Sequence, residues 1–242
     1  MEIQVAAAKV GKYATRESGD TFEVVERPHG GLSFVLADGQ RSGKGAKSIS
    51  NIVARKAISL LAEGVRDGVV ARAAHDYLYT QRAAQVISTL NMVSLDLATR
   101  TIVISRNNPS PVYVAHPGGL RPLDEPSQPI GVHRGTKPHI TELPIEPNMF
   151  VVVFTDGIDG AGMRYGLKLD LPQLVTDFVE AETRSAGRAE SAQALADLIL
   201  AEALKLDQGR PNDDMSVVVV AVLPRSIEDG ARRMTMHFPL EG

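Results

Sequence analysis

Asn212-Asp213-Asp214-Met215-Ser216-Val217-Val218-Val219-Val220 places two adjacent carboxylates at the mouth of a run of β-branched residues. Such runs fit a pleated, packed surface, so the valines predict a β-strand and the aspartates its entrance. Two other stretches have the same build in the opposite sense. Val151-Val152-Val153-Phe154-Thr155 runs into Asp156-Gly157, and Leu32-Ser33-Phe34-Val35-Leu36-Ala37 runs into Asp38-Gly39. A carboxylate at a strand end is held by rigid, paired backbone. A glycine after it lets the chain turn sharply and bring its carbonyl close to a ligand. Taken singly, Asp-Gly is a common turn dipeptide. Three carboxylates on three apolar strands suggest more, because converging carboxylates repel one another unless cations lie between them. Hard oxygen donors favour Mg²⁺ or Mn²⁺ over Zn²⁺.

Working outward, further strand-like runs lie at Ile3–Val10, Phe22–Glu26, Asn91–Leu97, Thr101–Ser105 and Val112–Ala115. Only Ala98-Thr99-Arg100 separates Leu97 from Thr101, too little for a crossover helix, so this pair predicts an antiparallel hairpin. Ile49, Ile52, Val53, Ala57, Leu60 and Leu61 recur at helical spacing, as do Leu195, Leu198, Ile199 and Leu206; another helix is predicted over Asp67–Arg82. Strands, then two helices, then a strand meander, then late helices and a closing strand predict an α+β fold in layers with a largely antiparallel sheet. The turns Asn107-Asn108-Pro109-Ser110-Pro111 and His116-Pro117-Gly118-Gly119 are short, and no repeat or long linker divides the chain. One domain is therefore expected over residues 1–242.

Composition narrows the chemistry. The 242 residues are 43% hydrophobic and 23% charged, ordinary for a globular chain. A formal charge of −3 and a pI near 6.1 provide no general basic surface for nucleic acid. The start Met1-Glu2-Ile3-Gln4 lacks the basic-then-apolar pattern of a signal peptide, and no apolar run approaches the roughly 18 residues of a membrane span. A cytoplasmic location without membrane contact is expected. The absence of cysteine excludes disulfides, thiolate zinc sites and a cysteine nucleophile, and the six scattered histidines show no zinc-binding spacing. Ser42-Gly43-Lys44-Gly45 fails as a phosphate-binding P-loop, since Asp38 stands at the first glycine position and Gly45 where Ser or Thr should follow the lysine. No Gly-x-Ser-x-Gly elbow is present for a serine hydrolase.

In order, Glu17-Ser18-Gly19-Asp20, Ala37-Asp38-Gly39, Phe154-Thr155-Asp156-Gly157-Ile158 and Asn212-Asp213-Asp214-Met215-Ser216-Val217 resemble the signature of the metal-dependent protein phosphatases. This is the PPM, or protein phosphatase 2C, superfamily, and the resemblance is to its SpoIIE-like branch over residues 10–222. It implies a four-layer αββα sandwich with two largely antiparallel central sheets flanked by helix pairs, and a centre for two Mn²⁺ or Mg²⁺ ions. Asp38 would bridge the ions, Asp20 and the Gly39 carbonyl would serve one, Asp156 and Asp213 would hold the other, and Asp214 would support them from behind. The implied activity is hydrolysis of phosphoserine or phosphothreonine by a metal-bridging hydroxide, with no protein nucleophile. Arg16, four residues before Asp20, is a candidate for the substrate phosphate. The implied partner is a phosphorylated regulatory protein of a bacterial partner-switching or stress-response pathway, such as an anti-sigma-factor antagonist or a stressosome component.

Two other functions stay open: a catalytically weak or inactive relative used as a regulatory binding module, and a small-molecule phosphatase. The chain departs from the family pattern in two loops. Asp38-Gly39-Gln40-Arg41-Ser42-Gly43 replaces a glycine-rich loop, and Arg106-Asn107-Asn108-Pro109-Ser110-Pro111 replaces an Asn-Ala-Gly-His-Pro-Pro-like turn; the second bears on substrate preference. No sensor segment accompanies the core in this sequence, so control is expected from a partner, from expression or from substrate supply. Ser226–Gly242 forms a tail, in which Met234–Phe238 is a candidate added edge strand or dimer contact.

Overall fold

The computed structural model describes residues 1–184, 191–224 and 230–237, with His29 described in its backbone only. The chain runs β1 (Glu2–Val10), β2 (Asp20–Glu26), β3 (Leu32–Gly39), α1 (Gly43–Ala62), α2 (Asp67–Gln81), β4 (Ser88–Asp96), β5 (Thr101–Asn107), β6 (Val112–His116), β7 (Gly119–Leu123), β8 (His139–Pro144), β9 (Met149–Phe154), the single turn α3 (Asp156–Asp159), α4 (Leu171–Arg184), α5 (Ser191–Leu206) and β10 (Met215–Leu223). One five-stranded sheet has the order β1-β10-β9-β6-β7 and the other β2-β3-β4-β5-β8. Every strand pair is antiparallel.

Three apolar cores stack these elements into the expected αββα order. Period-two alternation in β10 sends Val217, Val219 and Ala221 toward α4 and α5, and Val218, Val220 and Val222 toward the opposite sheet. The valine run is continuous because both faces of the strand are buried. In β3, Phe34 and Leu36 join the core between the sheets, while Val35 and Ala37 pack under α1 and α2. Helix α1 buries Ile49, Val53, Ala57 and Leu61 along one stripe, as its spacing predicts.

The edges differ from expectation. β7 and β8 close the two sheets, yet their patterns are mostly exposed and each contains a proline. An edge strand tolerates proline and few apolar residues, so it carries little sequence signal. β4 stops at Asp96 rather than Leu97, because the Asp96 carboxylate accepts the Ala98 and Thr99 N–H groups at 2.8 and 3.0 Å and starts the turn. Of the candidate edge strand or dimer contact at Met234–Phe238, residues 234–237 carry no strand, and Met234 and Met236 are exposed. The rest of that expectation, Phe238 included, lies outside the described residues, as do 226–229 and 239–242. Arg232 meets Glu26 at 3.1 Å, on the last residue of β2 and so at the opposite end of that strand from Asp20. No helix among the described residues is long and apolar enough to cross a membrane.

Candidate metal centre

Register builds the site. Asp20 begins β2 and faces Asp38 directly across the β2–β3 ladder. On the other sheet β9 ends at Phe154, just before Asp156, and its neighbour β10 begins at Met215, just after Asp213 and Asp214. The two sheets are tied at this end through Asp20, whose Oδ2 accepts from Thr155 Oγ1 at 3.1 Å and from Ser216 Oγ at 2.5 Å. The Asp20 carbonyl accepts the Lys9 and Lys47 ammonium groups at 2.9 and 2.7 Å, joining β1 and α1 to the same point. Burial holds both ammonium groups below the usual lysine range.

The carboxylates disturb one another. Burial, followed by the charges of Asp20, Asp156 and Asp213, pushes Asp38 up to about 9. Asp20 rises to about 6, chiefly by burial and against the Ser216 hydrogen bond that favours its ionised form. Asp156 is also raised, first by burial and then by Asp213, although its side chain stands at an open rim. The charges of Asp20, Asp156 and Asp213 thus all reach Asp38. As they stand, no three His, Cys, Asp or Glu side chains among the described residues are grouped so that they could hold a metal ion. Two of the nearby carboxylates are in fact committed elsewhere: Asp20 through Oδ2, and Asp214, which accepts Lys12 N–H and Gly19 N–H at 2.9 and 2.8 Å. Asp214 thus staples the loop before β2 onto the start of β10.

These donors suit divalent cations. Asp20 Oδ1 is buried with no hydrogen-bond partner, which a carboxylate oxygen does not normally sustain. The remaining donors are hard oxygens on mutually repelling groups, the chemistry that Mg²⁺ or Mn²⁺ satisfies.

The glycines have another purpose than the sharp turn expected of them. Neither Gly39 nor Gly157 takes a positive φ. A Cβ on Gly39 would stand 2.0 Å from the Ala46 carbonyl oxygen, and one on Gly157 would stand 2.1 Å from that of Asp214. Both glycines permit backbone to approach backbone, which brings α1 against Asp38 and β10 against Asp156. In the altered loop Arg41 occupies the left-handed region at φ +73°, as Gly43 does at φ +75°. Arg41→Gly is expected to stabilise the fold by about 1 kcal/mol in urea unfolding, since a left-handed L-residue costs about that much. A destabilised variant would show that the arginine side chain offsets its backbone strain.

Arg16 is exposed, and among the described residues it makes no hydrogen bond or ion pair. Arg106 is nearly fully buried and donates to the carbonyls of Asn108, at 2.8 Å, and Glu125. It organises the β5–β6 loop from within. Asn108 links that loop to the Phe154 carbonyl at 3.4 Å. A cleft of about 400 Å³, lined by Pro109, Pro126, Ser127, Gln128, Thr136 and Lys137, opens beside this loop and touches none of the carboxylates.

Asp207 was not legible in the sequence. It is buried at the end of α5, and its two oxygens accept Gly162 N–H at 2.9 Å and Asn212 N–H at 2.8 Å. One side chain thereby clips the segment after Asp156 to the segment before Asp213. A lone aspartate at a helix end gives no signal of this, because its partners lie in separate loops.

The sandwich is a PP2C fold. It superposes with a TM-score of 0.76 on the PP2C phosphatase domain and regulatory-domain fragment of SpoIIE from Bacillus subtilis, at 18% identity over 93% of this chain and 64% of that one. It also superposes, with a TM-score of 0.67, on the catalytic domain of the serine/threonine phosphatase PstP in complex with two manganese ions, at 16% identity over 91% of this chain and 98% of that one. The family model described as Stage II sporulation protein E (SpoIIE) matches residues 28–223, and the chain belongs to that family. The Stage II sporulation protein E of Priestia megaterium is 20% identical over 215 residues, 88% of this chain but 34% of its own length. The chain thus spans about a third of that relative.

Proposed function

We propose that this chain is a metal-dependent protein serine/threonine phosphatase domain. The observation that carries the reading is the carboxylate cluster around Asp38, where Asp20 faces Asp38 across the ladder and is tied to the other sheet by Thr155 and Ser216, although Asp20, Asp156 and Asp213 all raise the proton affinity of Asp38. Asp38 would be shared by two Mn²⁺ or Mg²⁺ ions, with Asp20 Oδ1 and the Gly39 carbonyl on one ion and Asp156 and Asp213 on the other. When bound, such ions supply the positive charge that activates water near neutral pH and offsets charge on a phosphoryl group.

The chain's own residues hold that arrangement. Thr155 and Ser216 fix Asp20, Asp214 fixes the loop that leads into it, and Lys9 and Lys47 lend positive charge behind it. Hydrolysis forms a bond from the water oxygen to phosphorus and breaks the bond to the seryl or threonyl oxygen, which leaves as the alcohol. The water supplies both the hydroxide and the proton. The substrate we infer is a phosphorylated bacterial regulator of the anti-sigma-factor antagonist or stressosome type, in the cytoplasm, a reading in keeping with membership of the SpoIIE family.

The test compares an aryl phosphate, a phosphoserine peptide, a nucleotide and a sugar phosphate, with Mn²⁺ and with chelator. Mn²⁺-dependent hydrolysis of the aryl phosphate and the peptide is expected. No turnover of either would overturn the reading, and a clear preference for the small metabolites would make the chain a small-molecule phosphatase.

Asp207→Asn is expected to weaken Mn²⁺ binding by about tenfold in calorimetric titration, the usual size of an outer-layer effect on a metal site. Asparagine retains one acceptor, so either Gly162 or Asn212 loses its partner and the segment entering Asp213 loosens. Unchanged affinity would show that the two loops are fixed by other contacts.

A further inference from the structure

Tyr13, Met163, Tyr165 and Leu167 are exposed by 56%, 59%, 39% and 48%, an unusual allowance for large apolar side chains so close to a polar centre. Specific contacts gather their loops. Tyr13 N–H donates to the Pro211 carbonyl at 2.9 Å, and the Arg210 guanidinium lies 5.4 Å from the Tyr13 ring centre. Arg164 donates to the Arg210 carbonyl at 3.0 Å and sits 5.1 Å from the Tyr165 ring centre. Beneath them Asp207 clips the second loop to the third. These are the loops that lead into Asp20, follow Asp156 and end at Asp213, so the aromatic surface forms a rim on the carboxylate cluster.

The rim also has a sign. Along Gly11–Gly19, Gly160–Asp170 and Gln208–Asn212 the cations Lys12, Arg16, Arg164, Lys168 and Arg210 outnumber the carboxylates Glu17 and Asp170, in a chain whose net charge is −3. Arginines stacked on tyrosines are held in place while their outer donors remain directed to solvent, a pre-ordered mixture of ring and guanidinium typical of protein-recognition surfaces. A single-stranded polyanion would need a longer basic track than these short loops provide.

We propose that this rim docks an acidic segment carrying apolar residues, located beside the phosphorylated residue of the protein substrate. The proposal rests on the phosphatase reading and adds to it the local chemistry of the substrate. Arg164 and Arg210 meet the acidic side chains, and Tyr13, Tyr165 and Leu167 meet the apolar ones.

The test uses the Mn²⁺-loaded chain and two synthetic phosphoserine peptides, one with Glu and Leu within a few residues of the phosphoserine and one with each Glu replaced by Lys. The acidic peptide is expected to have a kcat/KM higher by about tenfold, an advantage that shrinks at high salt. In Arg210→Glu that preference is expected to vanish or reverse, and in Tyr13→Ser the ratio of peptide to aryl-phosphate kcat/KM is expected to fall. Equal rates on the two peptides alongside normal aryl-phosphate turnover would overturn the rim while leaving the phosphatase reading intact. Failure on the aryl phosphate itself would instead be a failure of that reading. A concentration-dependent dimer abolished by Arg210→Glu would overturn the proposal by assigning the rim to a second copy of the chain.

Discussion

Asp38→Asn is expected to lower kcat/KM on an aryl phosphate by about a thousandfold or more, while raising the melting temperature of the metal-free protein. The two effects have one cause. Asp38 faces Asp20 across the ladder and lies in the fields of Asp156 and Asp213, which is why its carboxyl is pushed up to about 9. Asparagine keeps the shape but cannot ionise, so it removes a shared metal donor and, in the metal-free fold, the cost of holding this carboxyl protonated near neutral pH. Most substitutions near a core destabilise, and one that inactivates while stabilising is a specific signature of a group strained by its neighbours. Calorimetry in chelator, paired with turnover in Mn²⁺, measures both. Full activity would remove Asp38 from the site, and a lower melting temperature would show that its carboxyl is held by favourable contacts.

Mn²⁺ is expected to raise the melting temperature more at about pH 8.5 than at about pH 6, by on the order of 5–10 °C at the higher pH with the ion well above its dissociation constant. The sign follows from the direction of the shifts. Asp38, at about 9, and Asp20, at about 6, both bind protons more tightly folded than unfolded. Their contribution to stability is therefore complete below the ordinary carboxylate pKa and is lost as pH rises toward the folded values. Through that window the metal-free fold accumulates repelling charge, and a divalent cation takes over what the protons did. In Asp38→Asn the pH dependence of the metal effect should flatten. An ion effect that is equal at the two pH values, or larger at pH 6, would mean that the cation binds away from these carboxylates.

The parts of the fold that follow from local pattern were legible. Val217–Val220 and Val151–Phe154 pointed to buried strands, Ile49–Leu61 to a helix, and the Ala98–Arg100 spacing to a hairpin. β7 and β8 were not, because edge strands are defined by the neighbour they pair with rather than by their own apolar content. The same division holds at the site. Asp38, Asp156 and Asp213 announced themselves by standing at the ends of apolar strands. Their supports did not: Ser216 reaches Asp20 across 196 positions, and Asp214 reaches Lys12 across 202. Lys9 and Lys47 lie on different layers, and only the folded chain shows that both close on one carbonyl. The Asp-Gly pairs read in the sequence as sharp turns, yet neither glycine takes a positive φ. Their glycines answer to Ala46 and Asp214 from distant elements, a packing constraint that no local rule encodes.

Asp38 is the residue proposed to be shared between two cations. Crystals grown in Mn²⁺, examined by anomalous scattering, address this directly. The expected result is two ions about 3.5–4 Å apart, with Asp38 touching both and Asp156 and Asp213 on one of them. A single ion, or two that leave Asp38 uncoordinated, would contradict it.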